Sequence, residues 1–226
     1  MKPSQALITA ASVLALATLA GCAGSNGAAS STPSAAELDA MAQQMVQQSF
    51  HDKGIVKVSQ ALATDATLKA CNQADVSGTP LDAATMRALE AENFKTIQWP
   101  ADGKYLGDWK SGEKIAQSGR GRTWTDKADA ANGGNCYNCH QITKEEISYG
   151  TIGPSLYHYA QAKGVSDPSS PQAQEMVRYT WGKIWNSKAY NACSNMPRAG
   201  HKGILTQKQV ADIVALLLDP KSPVNR

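Results

Sequence analysis

The chain has 226 residues and a net charge of +3, from 22 Lys plus Arg against 19 Asp plus Glu. Charge is unevenly shared: residues 23–104 carry 6 basic against 9 acidic side chains, and residues 105–226 carry 15 against 10. The basic residues are scattered and no DNA- or RNA-binding motif accompanies them, which excludes nucleic acid as a partner and leaves an acidic docking protein as the expected use of the basic half.

Residues 1–22 read as a targeting segment. Lys2 supplies a minimal positive start, and residues 6–20 form a small-residue apolar run too short to span a bilayer comfortably. The run ends in Leu19-Ala20-Gly21-Cys22, which resembles the lipobox of bacterial lipoproteins and points to lipidation at Cys22. The competing reading is an ordinary signal peptide cut near Ala23 or Ala28. Both readings export the protein, and the first holds it at a membrane face in the periplasm through its N-terminal lipid. Residues 23–36, rich in Gly, Ala and Ser, are the expected flexible tether.

Residues 37–103 read as a helical N-terminal extension. Ser34 with Glu37 forms a capping-box pattern, followed by Leu38, Met41, Met45 and Val46 at helical spacing toward Phe50. A second helix is predicted from Asp82 to about Phe94, and Gly78, Pro80, Pro100 and Gly103 punctuate the rest. No catalytic constellation occurs before residue 100, and Met41, Met45 and Met86 read as core.

Residues 104–226 hold the chemistry. A short helix is predicted over 109–117, then a loop and the small-residue stretch Asn132-Gly133-Gly134-Asn135, which permits close backbone approach to a flat cofactor. Next comes Cys136-Tyr137-Asn138-Cys139-His140, the C-x-x-C-H attachment signature of a c-type haem. Each thiol can add across a porphyrin vinyl group, and the imidazole can coordinate the iron. A thioredoxin-like dithiol would require a strand-to-helix junction, and a zinc site a second ligand pair; the sequence offers neither. In Gly153-Pro154 a backbone carbonyl could accept the other ring N–H of His140. Ser170 and Pro171 open a helix bearing Met176, Val177, Trp181, Ile184 and Trp185. Thr206 with Gln209 is a further capping box, opening a last helix that Pro220 stops. The order is that of a mainly α, class I-type monohaem cytochrome c domain with a helical N-terminal extension, its cofactor one covalent haem c.

A haem held by His140 needs a second axial ligand or an open position. Met176 falls inside a predicted amphipathic helix, where a thioether fills core. Met196 sits in Asn195-Met196-Pro197, on a loop that the proline stiffens, and is the favoured ligand; His158 and His201 are the alternatives. His/Met ligation raises the reduction potential and suits electron relay, with no catalytic residue in this chain. With Cys22 assigned to lipid and Cys136 and Cys139 to haem, Cys71 and Cys193 remain for a disulfide, against two buried free thiols.

The haem half resembles the SoxX family, the monohaem subunits of the SoxXA cytochromes of bacterial thiosulfate oxidation. The resemblance is carried by Gly134-Asn135-Cys136-Tyr137-Asn138-Cys139-His140, Ile152-Gly153-Pro154-Ser155-Leu156 and Tyr190-Asn191-Ala192-Cys193-Ser194-Asn195-Met196-Pro197-Arg198, and closes with Gly203-Ile204-Leu205-Thr206. Ala199 stands where the family often has an aromatic residue. The resemblance implies a heterodimer with a SoxA-type haem subunit, forming an L-cysteine S-thiosulfotransferase. That complex conjugates thiosulfate to the SoxYZ carrier, and this chain would pass the electrons to a soluble cytochrome c. A free-standing lipoprotein cytochrome c serving a terminal oxidase is the competing reading.

Overall fold

The structure, a computed structural model, describes residues 32–226. The targeting segment 1–22, the lipidation site Cys22 and most of the tether 23–36 lie outside the described residues. The chain divides into two compact units, Met1–Gln48 and Ser49–Arg226.

In the first unit, helix α1 spans Ala35–Ser49. The Ser34 hydroxyl accepts from the Glu37 backbone N–H at 3.3 Å, and the Glu37 carboxylate accepts from the Ser34 N–H at 2.7 Å, completing the capping box. The expectation that Met41 and Met45 are core is corrected here. No residue of α1 is buried, and Leu38, Met41 and Met45 are each more than half exposed. The stripe is narrow, with Gln43, Gln44, Gln47 and Gln48 around it.

The second unit contains α2 (Val58–Ala61), α3 (Ala66–Ser77), α4 (Ala83–Phe94), α5 (Trp109–Gln117), α6 (Tyr159–Ala162), α7 (Gln174–Trp185) and α8 (Gln207–Leu218). Short 3-10 turns occur at Cys136–Asn138, Pro171–Ala173, Ser187–Ala189 and Pro223–Asn225. Among the described residues no strand forms beyond one isolated bridge between Lys53 and Val56. Local chemistry explains the ends. The carboxylates of Asp65, Asp82 and Asp108 accept first-turn N–H groups of α3, α4 and α5, and Gly78 ends α3 at φ +65°. Thr206 and Gln209 complete the box that opens α8.

The core is built on α8, whose Val210, Ile213, Val214, Leu216, Leu217 and Leu218 are all buried. Burial of each such side chain contributes about 1.5–3 kcal/mol. α5 crosses α8 at Gly112, where a Cβ would collide with the Asp212 carbonyl and crowd Leu216. Just before α5, Gly107 N–H donates to Ala211 O at 3.0 Å and Asp108 N–H to the Asp212 carboxylate at 2.9 Å. α7 adds Trp181 and Trp185, stacked one turn apart with ring centroids 6.1 Å apart, and Trp181 Nε1 donates to Gln98 O at 3.0 Å.

Residues 49–103 belong to this same body, so the expected boundary between residues 103 and 104 is no break in packing. A buried polar chain crosses it. Asn93 Nδ2 donates to Thr67 Oγ1 at 2.8 Å, and Asn186 Nδ2 donates to Asn93 Oδ1 at 3.1 Å and to Thr96 Oγ1 at 2.8 Å. Each of these buried amides is satisfied, as a stable interior requires.

Candidate functional site

The 3-10 turn Cys136–Asn138 carries the first cysteine, and the Cys136 carbonyl accepts from the N–H groups of Cys139 at 3.1 Å and His140 at 2.9 Å. Those two bonds gather the two sulfurs and the imidazole into a single tight turn. Asn135 enters it in the left-handed region at φ +50°, a conformation asparagine tolerates. Both thiols are free, and burial pushes the Cys136 thiol up to about 11. A thiol so held is unlike the acidified nucleophile of a redox dithiol. Among the described residues no three or more His, Cys, Asp or Glu side chains are grouped to hold a metal ion.

His140 is fixed from behind. Its Nδ1 lies 2.6 Å from the Pro154 carbonyl, which accepts the ring N–H and leaves Nε2 free to ligate. Gly153 N–H in turn donates to Cys139 O at 2.8 Å, and a Cβ on Gly153 would overlap the His140 ring.

Met196 packs against the core on the loop between the Ser187–Ala189 turn and α8. The Ser187 hydroxyl donates to its carbonyl at 2.5 Å, and its own N–H donates to Ser194 Oγ at 3.2 Å. Met176 is a half-buried residue of α7 packed on the same core. His158 enters α6 at φ +58° with its ring against Tyr157, centroids 3.8 Å apart. His201 lines an open cleft of about 550 Å³ with Thr96, Gln98, Trp185 and Thr206. Burial first, then the charges of Arg198 and Lys202, hold its imidazole below the usual histidine range. Cys71 and Cys193 are joined as a disulfide, with Cα atoms 5.5 Å apart.

The residues present fit a covalently held haem. They offer two free thiols on one turn, an imidazole with one nitrogen engaged and one available, and small residues where the backbone runs close. One further observation agrees: among the described residues, Trp185 Nε1 is the buried side-chain polar atom with no partner, although Trp185 is only 5 % exposed. A bound group bearing acceptor oxygens, as haem does in its carboxylates, would satisfy it. Sequence reasoning passed over Trp185 and Ser187, because an indole in an apolar stripe and a turn hydroxyl carry no local signal of such a role.

Comparison with known proteins agrees with this arrangement. The model of the family described as cytochrome c matches residues 118–220. A protein of Aquifex aeolicus (strain VF5) described as an uncharacterized lipoprotein is 37 % identical over 174 residues, covering 75 % of this chain and 77 % of that protein.

Proposed function

Because the chain belongs to the family of that Aquifex lipoprotein, and residues 118–220 are a cytochrome c domain whose cofactor is covalently bound haem c, we propose that it is a lipid-anchored one-electron relay, the haem subunit of a SoxXA-type thiosulfate-conjugating complex. Bound haem c supplies a one-electron couple. Cys136 and Cys139 would hold the haem through thioether links, and His140 Nε2 and Met196 Sδ would ligate its iron. The Pro154 carbonyl keeps the proton on Nδ1 of His140, which fixes the ring's tautomer.

The observation that carries the relay reading is the double restraint on the two axial donors, His140 by Pro154 and Met196 by Ser187. With both positions filled the site excludes small molecules, which suits transfer of electrons over bond chemistry. Conjugating thiosulfate to a carrier cysteine forms one S–S bond and releases a proton and two electrons. A relay that takes them singly is what this chain provides. Assignment to SoxXA rests on the Ser194-Asn195-Met196-Pro197-Arg198 loop joined to the attachment motif. A lipid on Cys22 would hold the assembly at the periplasmic face of a membrane. Among the described residues no helix is long and apolar enough to cross one.

The second reading is a free-standing lipoprotein cytochrome c that feeds a terminal oxidase; the Aquifex relative, itself described as a lipoprotein, supports its anchored part. Purification from the native membrane separates the two: a relay subunit co-elutes with a second haem protein, a free carrier does not. Genetics supplies the stronger test. Deletion of the gene, and replacement by Cys139→Ser, are both expected to abolish thiosulfate-dependent respiration. Parental rates in both strains would defeat the SoxXA reading and leave the free carrier.

A further inference from the structure

The loop that presents Met196 is held from outside the cytochrome c domain. At its start, Ala192 N–H donates to the Glu90 carboxylate of α4 at 3.2 Å. The next residue, Cys193, is bonded to Cys71 of α3. Beyond Met196, the Arg198 guanidinium meets the Asp65 carboxylate at 2.6 Å, with the Arg198 side chain only 6 % exposed. These three attachments bracket Met196 on both sides. The loop's inner face is tied separately, by Ser187 to Met196 O and by Lys188 Nζ to Ala192 O at 3.0 Å and Ser194 O at 3.1 Å. The buried Thr67–Asn93–Asn186 chain keeps α3 and α4 in register with the loop's origin.

We propose that α3 and α4 form a brace for the sixth ligand, with Asp65, Cys71 and Glu90 as positioning residues that hold the 191–198 loop so that Met196 stays on the iron. The proposal rests on the reading of Met196 as that ligand. A thioether is a neutral and weak donor, so its occupancy depends on where the backbone holds it. Loops open locally at far lower free energy than whole domains unfold, and few of this loop's own groups lie in regular structure. Anchors at 192, 193 and 198 raise that local opening energy. Asp65 serves twice, since the carboxylate that pairs Arg198 also caps α3 through Leu68 N–H at 2.9 Å. The helices are therefore tied to the loop through the same group that ends one of them.

The test uses the full-length, haem-loaded protein in four forms besides the parent: Asp65→Asn, Glu90→Gln, Cys71→Ala with Cys193→Ala, and Met196→Ala. Two signals are followed through urea, the sulfur-to-iron charge-transfer band and helical circular dichroism, with amide exchange measured at 192–198 and in α8. In the three brace variants the band is expected to vanish at lower urea than the helical signal. Exchange at 192–198 is expected to rise at least tenfold more than exchange in α8, which follows global stability. A brace with no bearing on ligation would leave band and helix signal falling together, with parental loop exchange, and that result overturns the proposal. Met196→Ala distinguishes the underlying reading: it lacks the band at zero urea if Met196 is the ligand, and a retained band overturns that assignment itself. Should the cysteine variant fail to fold, Asp65→Asn and Glu90→Gln decide, since both keep the covalent link.

Discussion

Gly153 shows how closely the His140 imidazole is fitted. Its Cα faces the His140 ring with no room for a methyl group, while Pro154 next to it accepts the ring N–H. Gly153→Ala must displace the ring or the 150–154 backbone, at a cost of about 1–3 kcal/mol for overpacking. The variant is expected to keep both thioether links and lose the low-spin optical spectrum of a six-coordinate iron; an unchanged spectrum would show that the ring can shift without losing its bond. With Met196 as the proposed second ligand, Met196→Ala is expected to lower the reduction potential, because the thioether favours the reduced iron; potentiometric titration against the parent reads the shift. Ser187→Ala frees the Met196 carbonyl from its one side-chain donor and is expected to cost about 0.5–1.5 kcal/mol in urea unfolding, the usual worth of one such bond.

At the scale of elements, the crossing of α5 on α8 depends on a single missing side chain. Gly112→Val would put a Cβ into the Asp212 carbonyl and against Leu216, with further bulk beyond it. A loss of at least about 1–3 kcal/mol is expected in urea unfolding, and an unchanged midpoint would mean the helices separate freely. α3 has a different role. Only Thr67 of its residues is buried, so its own packing contributes little, yet it carries Cys71. The bridge closes a separation of 122 residues, and the chain-entropy model assigns a loop of that size about 4–5 kcal/mol. Cys71→Ala with Cys193→Ala is expected to lose stability of that order. That weak burial is also why the sequence did not announce α3. Ala, Asn, Gln and Asp alternate without an apolar stripe, whereas α4, α5, α7 and α8 carried caps or stripes that could be read directly. α1 errs the other way, because its stripe of Leu38, Met41 and Met45 is legible and yet exposed.

For the molecule as a whole, acid should act through the ties between extension and ligand loop. Burial pushes the Asp65 carboxyl up, but the Leu68 N–H and the Arg198 guanidinium outweigh it and hold the group below the usual carboxylate range. A group depressed in the folded state stabilises above its unfolded pKa, near 4, and loses that contribution as pH falls through the lower folded value. Asp65→Asn is therefore expected to flatten the acid limb of stability below about pH 4 and to lower the plateau above it. A parental acid limb in the variant would assign acid sensitivity to other carboxylates. Much of the site was visible beforehand because haem attachment is written in consecutive residues, as is the proline that stiffens the Met196 loop. Asp65 and Glu90 were not, because each acts through a partner distant in sequence, and a single carboxylate leaves no periodic trace. The bonds that join Asn186 to Asn93 across residue 103 were hidden for a similar reason: neither amide signals its distant partner in the sequence.

The pairing of Cys71 with Cys193 also bears on how the chain is made. Past residue 22 the polypeptide carries four cysteines, and four thiols admit three pairings. Cys71, Cys136, Cys139 and Cys193 lie in that order, so if the chain is exported N-terminus first, as proposed, an oxidant would meet Cys71 and the attachment pair before Cys193. Thioether formation takes Cys136 and Cys139 out of thiol exchange permanently, and only one pairing then remains. Covalent cofactor loading ahead of oxidation would therefore leave the Cys71–Cys193 bridge as the single outcome. A chain exported without haem attachment is expected to accumulate Cys71 linked to Cys136 or Cys139, species that non-reduced peptide mapping would separate from the mature bridge.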